Sequence, residues 1–404
     1  MVPIYFYGAM FLVLLLSLVQ SYNFASPLFL FSLLALTNLV GVINHSNLEA
    51  AWAVLLTAYM SYVGAFLVNL ITGFSPKREL KHYKNLPLLH NSHKVTFITW
   101  LIFIIYIIAA MLIFSQKGIP IFSSNVYEAR IAFRAGSGLL FRVLKVFSSL
   151  LGMILVSQIQ LSKHLIKRMS YLGLILVLLI ISFLSGDKLS IIMFAGPMMW
   201  LYVYLSRSQM LLVFSVICII ILTVVLTQIS HGVDWRGALE VLLYRGTSVQ
   251  TVGLSEIFRA IRPTGGEYMR RDLQFLAGSF GLTERPETID AYLYRTIFGY
   301  SGFTAPPTLT GELYVNWGWW GVVLGSLLYG VALQLSYIFL LRSRKSTITM
   351  TFLIYIQFML LYMSQFATII MTLYFLGIGL LGFSVIICLI YLWLGLPRGK
   401  VKLP

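Results

Sequence analysis

Apolar residues gather into eleven long runs, at about 3–20, 27–44, 50–72, 95–115, 138–161, 169–185, 189–205, 210–229, 317–341, 347–365 and 370–395. A helix needs roughly 17–25 apolar residues to cross a hydrocarbon core of about 30 Å, so each run reads as a membrane-spanning helix. The expected fold is an all-α integral membrane protein. The sixth and seventh runs are short and meet at Gly186-Asp187-Lys188, which leaves room only for a tight hairpin. The tenth and eleventh are nearly continuous and divide at Ser364-Gln365. One long stretch breaks the pattern, Ser230 to Asn316. Within it, 237–262 has helical spacing through Leu239, Leu242, Leu243, Val252, Ile257 and Ile261. Pro263-Thr264-Gly265-Gly266 is a turn, Glu267 to Leu276 a second short helix, and Pro286 opens a third that runs to Phe298. Three blocks result: 1–229 with eight spans, the polar segment 230–316, and 317–404 with three spans and a tail.

Composition agrees, with 59% hydrophobic and 10% charged residues, where soluble domains carry about a quarter charged. The net charge of +16 would suggest a nucleic-acid partner in a soluble chain. Here its distribution explains it, and no nucleic acid is expected. The segments 73–94, 162–168, 206–209, 342–346 and the tail hold fifteen bases against one acid, Glu79, while the remaining segments hold fourteen bases and twelve acids. Short loops rich in Lys and Arg stay cytoplasmic. Eleven spans then put the amino terminus outside, the carboxyl terminus inside, and 230–316 on the extracytoplasmic face together with 116–137 and the 186–188 turn. Cys218 and Cys388 lie inside apolar runs and read as core residues. The first run lacks a basic lead-in, which argues against a cleaved signal peptide. Charges crowd the faces and spare the span centres, and no repeat is visible. A transporter or flippase of anionic lipids, which usually shows midplane ionisable groups and repeats, therefore ranks behind an enzyme.

The polar segment contains eight arginines and no lysine, accompanied by eight carboxylates before Glu312. Guanidinium groups form bidentate hydrogen bonds to phosphate and stay charged at any pH. At least two of these arginines are expected to bind phosphate, Arg245, Arg270 and Arg271 foremost; the alternative is pairing with the acids of the same segment. A second cluster, Glu128, Arg130 and Arg134, precedes the fifth span, with Arg130 and Arg134 on one helical face, and Arg142 and Lys145 continue it into that span. It reads either as a basic ladder to headgroup depth or as snorkelling cations. Asp187-Lys188 is a structural ion pair or, if the turn dips, a functional one. The run Pro306 to Gly321 starts a helix, with Glu312 in its first turn as a candidate base or sugar ligand and Tyr314 and Asn316 as candidate sugar-binding residues. Trp317, Trp319 and Trp320 suit an interfacial belt, and Gly321 with Gly325 has the spacing for close helix packing. His231 is an outside candidate for titration. No spacing suggests a metal site or a phosphate loop, so neither a metal nor another cofactor is expected.

The layout, together with Gly311-Glu312-Leu313-Tyr314, Asn316-Trp317-Gly318 and Gly321, resembles bacterial O-antigen polymerases of the Wzy type. Some members carry an Arg-x10-Gly pattern, matched by Arg270 and Gly281, whereas the usual small residue followed by arginine at the short turn is replaced by Asp187-Lys188. The resemblance implies a bundle related to the C-type glycosyltransferases in the bacterial cytoplasmic membrane. It also implies transfer of a growing glycan from undecaprenyl pyrophosphate onto a new lipid-linked repeat unit at the outer leaflet. Such chemistry needs fixed cations for the leaving pyrophosphate and a base for the acceptor hydroxyl. Arg130, Arg134, Arg142, Arg245, Arg270, Arg271 and Lys188 are the candidates for the first, and Glu312, Asp272 or Asp187 for the second. The implied partners are lipid-linked oligosaccharides and membrane lipids, with a chain-length regulator and a flippase alongside. A ligase moving finished glycan to another acceptor would need the same residues.

Overall fold

The computed structural model describes residues 2–89, 93–134, 138–205, 210–244, 250–278, 282–299 and 305–394. Among these the secondary structure is helical, with no strand. Eight helices are long and apolar enough to cross a membrane. These are α1 (Val2–Ser21), α2 (Pro27–Asn44), α3 (Leu48–Thr72), α5 (His93–Lys117), α7 (Gly138–Leu161), α8 (Leu165–Leu184), the continuous stretch of α15 (Thr308–Trp320) and α16 (Ser326–Arg342), and α17 (Thr347–Gln365). Three shorter apolar stretches, Leu189–Leu205, Ile220–Ile229 and Ile369–Val385, occupy the places of the seventh, eighth and eleventh expected spans. They belong to α9 (Lys188–Leu205), α10 (Met210–His231) and α18 (Ile369–Leu394). The chain is a multi-pass integral membrane protein.

The chain forms two compact units. The first comprises Met1–Asn85, Trp235–Ser343 and Ile356–Tyr374. Its spine is the α3–α16 pair, which approaches closely because small residues face backbone: Gly64 meets the Leu327 carbonyl, and Gly330 meets the backbone of Ser61. Polar groups lock that contact. Ser61 donates to the Ser326 carbonyl at 3.0 Å, and Gln334 donates to Asn69 at 2.7 Å. Between membrane helices such bonds and close van der Waals packing replace the hydrophobic drive available in water.

The polar segment contains α11 (Trp235–Tyr244), α12 (Gln250–Ala260), α13 (Glu267–Gly278) and α14 (Ile289–Phe298), and α12 packs it onto α2 and α3. Leu254, Ile257 and Phe258 of α12 and Ile289 and Leu293 of α14 share one core with α1, α2 and α3. Asn47 caps α3 by accepting from the Ala50 N–H at 2.9 Å, and its amide donates to Ser255 in α12 at 2.8 Å. The segment is thus fastened to the membrane helices rather than tethered beside them.

The second unit comprises Leu86–Asp234, Arg344–Tyr355 and Phe375–Pro404. There α7 packs on α9, α8 and α5 around Leu151, Ile154, Leu155, Leu178 and Phe194. The α8–α9 hairpin turns through Ser185, Gly186 and Asp187, with Gly186 at φ +66°. A short helix, α6 (Val126–Arg134), precedes α7.

Helix α15 starts at Thr308, directly after Pro306-Pro307 as expected, but Glu312 lies beyond its first turn. Its first turns are polar yet buried, which a hydropathy pattern cannot report. Gly321 and Gly325 do serve close packing, but within their own segment rather than between α3 and α16. A kink at Gly318 (φ +66°, ψ −152°) turns the chain so that Gly321 meets the Leu313 carbonyl and Gly325 meets the Leu313 side chain.

Candidate active site

The kink at Gly318 has a purpose visible in the hydrogen bonds. It frees carbonyls of α15 from helical pairing, and the 263–266 turn takes them. The Thr264 N–H donates to Val315 at 2.9 Å and the Gly266 N–H to Asn316 at 2.8 Å. The Asn316 carboxamide finishes the joint: its oxygen accepts from the Met269 N–H at 3.0 Å and its nitrogen donates to the Glu312 carbonyl at 3.0 Å. Asn316 is fully buried and both ends of its amide are in use. Tyr314, half-buried, stacks on Phe258 with centroids 4.1 Å apart, and Trp319 lies 5.8 Å from both rings.

Helix α13 is thereby laid against α15, and this brings carboxylates together. Glu312 is buried, and both its oxygens accept from the Ile369 N–H, at 3.0 and 2.8 Å. The helix amino terminus it serves is thus that of α18, not its own. Charge complementarity with that terminus stabilises the contact. Asp272 is 2% exposed, and neither of its oxygens has a hydrogen-bond partner among the described residues. The Thr368 hydroxyl and the Ile289 N–H face it. Asp290, in the first turn of α14, holds the Thr288 hydroxyl and the Ala291 N–H. The charges of Asp272 and Asp290 both act on Glu312.

Burial pushes the Asp272 carboxyl up to about 6, and the charge of Asp290 adds to this while Thr368 and Ile289 oppose it. Burial raises Asp290 as well. Around the cluster other polar atoms are orphaned. Gln365 Nε2 and Thr372 Oγ1, either side of the Thr368–Ile369 junction, are buried with no partner among the described residues, as is Thr308 Oγ1 one turn before Glu312. Thr308 also has φ +57°. For a β-branched residue that conformation is strained. Unsatisfied buried groups call for water or a ligand. Among the described residues no three His, Cys, Asp or Glu side chains are placed to hold a metal ion.

The arginines divide. Arg271 pairs with Glu267 and lies over the Tyr268 ring, Arg295 pairs with Glu287 at 2.8 Å, and Arg236 and Arg259 lie within 3.5 and 3.8 Å of Glu240 and Glu256. Arg285 donates to the Gly278 carbonyl at 3.0 Å. Arg262 and Arg270 are exposed, and neither forms an ion pair with an acid among the described residues. Pairing within the segment therefore occupies Arg271, whereas Arg270 faces outward. Arg245 lies outside the described residues, as does Gly281 of the Arg-x10-Gly pattern.

The remaining candidates lie in the second unit. Asp187 caps α9: its oxygens accept from the Leu189 N–H at 3.2 Å and the Ser190 hydroxyl at 3.1 Å, and from Lys145. Lys145 is itself buried and sits 4.6 Å from the Phe141 ring centroid. Lys145 borders a cavity of about 20 Å³ lined also by Tyr106, Ser148, Ser182, Ser185 and Ser190. That is room for a water molecule, not a sugar. Asp187 thus pairs with Lys145 in α7, 42 residues away. Arg130 is half-buried in α6, Arg142 half-buried in α7, and Arg134 ends α6. The side chains of Arg134 and Lys188 lie outside the described residues.

Sequence reasoning passed over Asp290, Thr368 and Ile369. Asp290 was visible only as one of eight acids, and nothing in the pattern marks the start of α18 as the partner of Glu312, 57 residues away.

An all-α bundle of long apolar helices with an arginine-rich segment folded onto it defines a class, that of multi-pass membrane proteins. The family described as "Putative O-antigen polymerase" matches residues 3–363, and the chain belongs to it. Membership supports a role in O-antigen repeat-unit polymerisation. No curated protein and no solved structure matches the chain.

Proposed function

We propose that the chain polymerises lipid-linked oligosaccharide repeat units at the outer leaflet of the bacterial cytoplasmic membrane, with the segment 230–316 on the extracytoplasmic side. The growing glycan leaves undecaprenyl pyrophosphate and is joined to a new undecaprenyl-pyrophosphate-linked unit. The acceptor hydroxyl oxygen bonds to the anomeric carbon, the bond from that carbon to pyrophosphate oxygen breaks, and the hydroxyl proton passes to a carboxylate. The observation that carries this reading is Asp272: buried, with no hydrogen-bond partner for either oxygen among the described residues, and raised to about 6. A base whose pKa lies near the working pH is half-ready and still strong enough to take a proton. Glu312 is committed to Ile369 and Asp187 to Lys145, so they rank behind Asp272. Arg270, with Arg262 beside it in exposure, is the first choice for the pyrophosphate, and Tyr314 for stacking on a sugar. Pyrophosphate is already a good leaving group, so fixed cations suffice and the reaction is expected to run without a metal.

The test uses purified protein in detergent, a synthetic polyprenyl pyrophosphate oligosaccharide and EDTA. A ladder of longer lipid-linked products is expected. Asp272→Asn should abolish it and Arg270→Ala should weaken it. A single transfer to an added acceptor would replace the polymerase by a ligase. No product, with lipid scrambling in liposomes, would overturn the enzyme reading in favour of a transporter.

A further inference from the structure

Helix α4 (Pro76–Asn85) follows the end of α3 by three residues and carries three lysines, Lys77, Lys81 and Lys84, that form no ion pair with an acid among the described residues. Leu80 and Tyr83 are buried and anchor one face. Lys77, Lys81 and Lys84 are exposed at i, i+4 and i+7, which makes one continuous stripe about 10 Å long. Arg78 and His82, also exposed and four apart, form a second row beside it. Like charges at this spacing destabilise an isolated helix. The single acid of α4, Glu79, lies on the flank of the buried face and is engaged elsewhere, 3.8 Å from Arg342 at the end of α16 and 3.5 Å from Arg78.

The position of α4 is fixed by its contacts. Lys77 lies over the Tyr22 ring just past α1, and Arg342 lies over Phe74 just past α3. Three membrane helices, α1, α3 and α16, therefore end at this helix, and the last turn of α3 presents Leu70 and Ile71 to the surroundings at 68% and 82% exposure. An amphipathic helix at the rim of a bundle, apolar toward the protein and cationic outward, beside lipid-facing side chains, lies in the headgroup layer. We infer that the Lys77–Lys81–Lys84 stripe of α4 is a binding surface for anionic phospholipid headgroups, which supply the counter-charge that the protein lacks there. Each basic residue near an anionic surface contributes attraction that fades within a Debye length.

Full-length protein in detergent is titrated with short-chain phosphatidylglycerol or phosphatidylcholine, and thermal unfolding is followed by tryptophan fluorescence. Phosphatidylglycerol is expected to raise the midpoint more than phosphatidylcholine. The excess should shrink as ionic strength rises from about 0.01 to about 1 M, which shortens the Debye length from about 30 to about 3 Å. The triple variant Lys77→Gln/Lys81→Gln/Lys84→Gln should lose at least about half of the phosphatidylglycerol-specific shift while unfolding normally in phosphatidylcholine, given roughly one kcal/mol of attraction per base. Changing the same three residues to Arg should retain the shift, which separates lost charge from lost folding. Equal shifts with both lipids, a triple Gln variant with the full shift, or the same shift with soluble glycerol phosphate would overturn the assignment.

Discussion

Replacing Asp272 by Asn should make the protein more stable and less active, and the gain should depend on pH in a defined way. In the unfolded chain this carboxyl has its ordinary value of 3.8, and burial lifts it to about 6 in the fold. Each pKa unit is worth about 1.4 kcal/mol. Folding the ionised form therefore costs about 3 kcal/mol above pH 6. Because the folded value is the higher one, the fold is unpenalised below pH 3.8, loses stability as pH rises through the interval, and bears the full cost beyond pH 6. Asn carries no charge, so the variant escapes this loss. The difference in stability between variant and wild type should be about 1 kcal/mol at pH 4.5 and about 3 kcal/mol at pH 7.5. Parallel thermal or denaturant unfolding of both proteins in one detergent, from pH 4.5 to 7.5, measures it. A difference that does not change with pH, or an Asn variant less stable than wild type at pH 7.5, would refute the reasoning. Either result would mean that the carboxylate is held by a partner and is not waiting for one.

Three other outcomes are expected. Gly318→Ala forces a side chain into a backbone region reserved for glycine and against Pro263, at 3.3 Å from its Cγ, and should cost roughly 1–3 kcal/mol; hydrogen exchange at Thr264 and Gly266 should accelerate with it. Glu312→Gln keeps an acceptor for the Ile369 N–H whereas Glu312→Ala removes it, so the alanine variant should be less stable by about 1–3 kcal/mol, measured by thermal unfolding. Lys145→Met or Asp187→Asn alone should each cost about 3–5 kcal/mol, as breaking a buried pair strands a charge, while the double variant should recover part of the loss in a double-mutant cycle.

The membrane helices were legible because a span is a local property, about twenty residues of one character. The helices of the polar segment were legible for a similar reason: Pro263-Thr264-Gly265-Gly266 and the spacing of Leu239 to Ile261 are short-range signals. The start of α15 was legible from Pro306-Pro307, but the burial of its polar first turns was not, since other segments bury them. The site was half legible. Asp272 and Glu312 could be named as acids in suggestive places, but what distinguishes them is whom they meet. Glu312 meets Ile369, Asp187 meets Lys145, and Asp272 meets no partner; each fact lies across tens of residues. Arg271 shows the opposite limit. Its spacing of four from Glu267 permitted a pair, and arginine chemistry permitted a phosphate; the fold uses the pair.

The bond from Ile369 to Glu312 also has a consequence for biosynthesis. A ribosome delivers the Glu312 carboxylate 57 residues before the N–H that satisfies it. Until α18 begins, the nascent bundle holds a buried acid without its donor, and the acidic cluster stands incomplete. A chain truncated after α17 would keep most of its spans and still lack that donor.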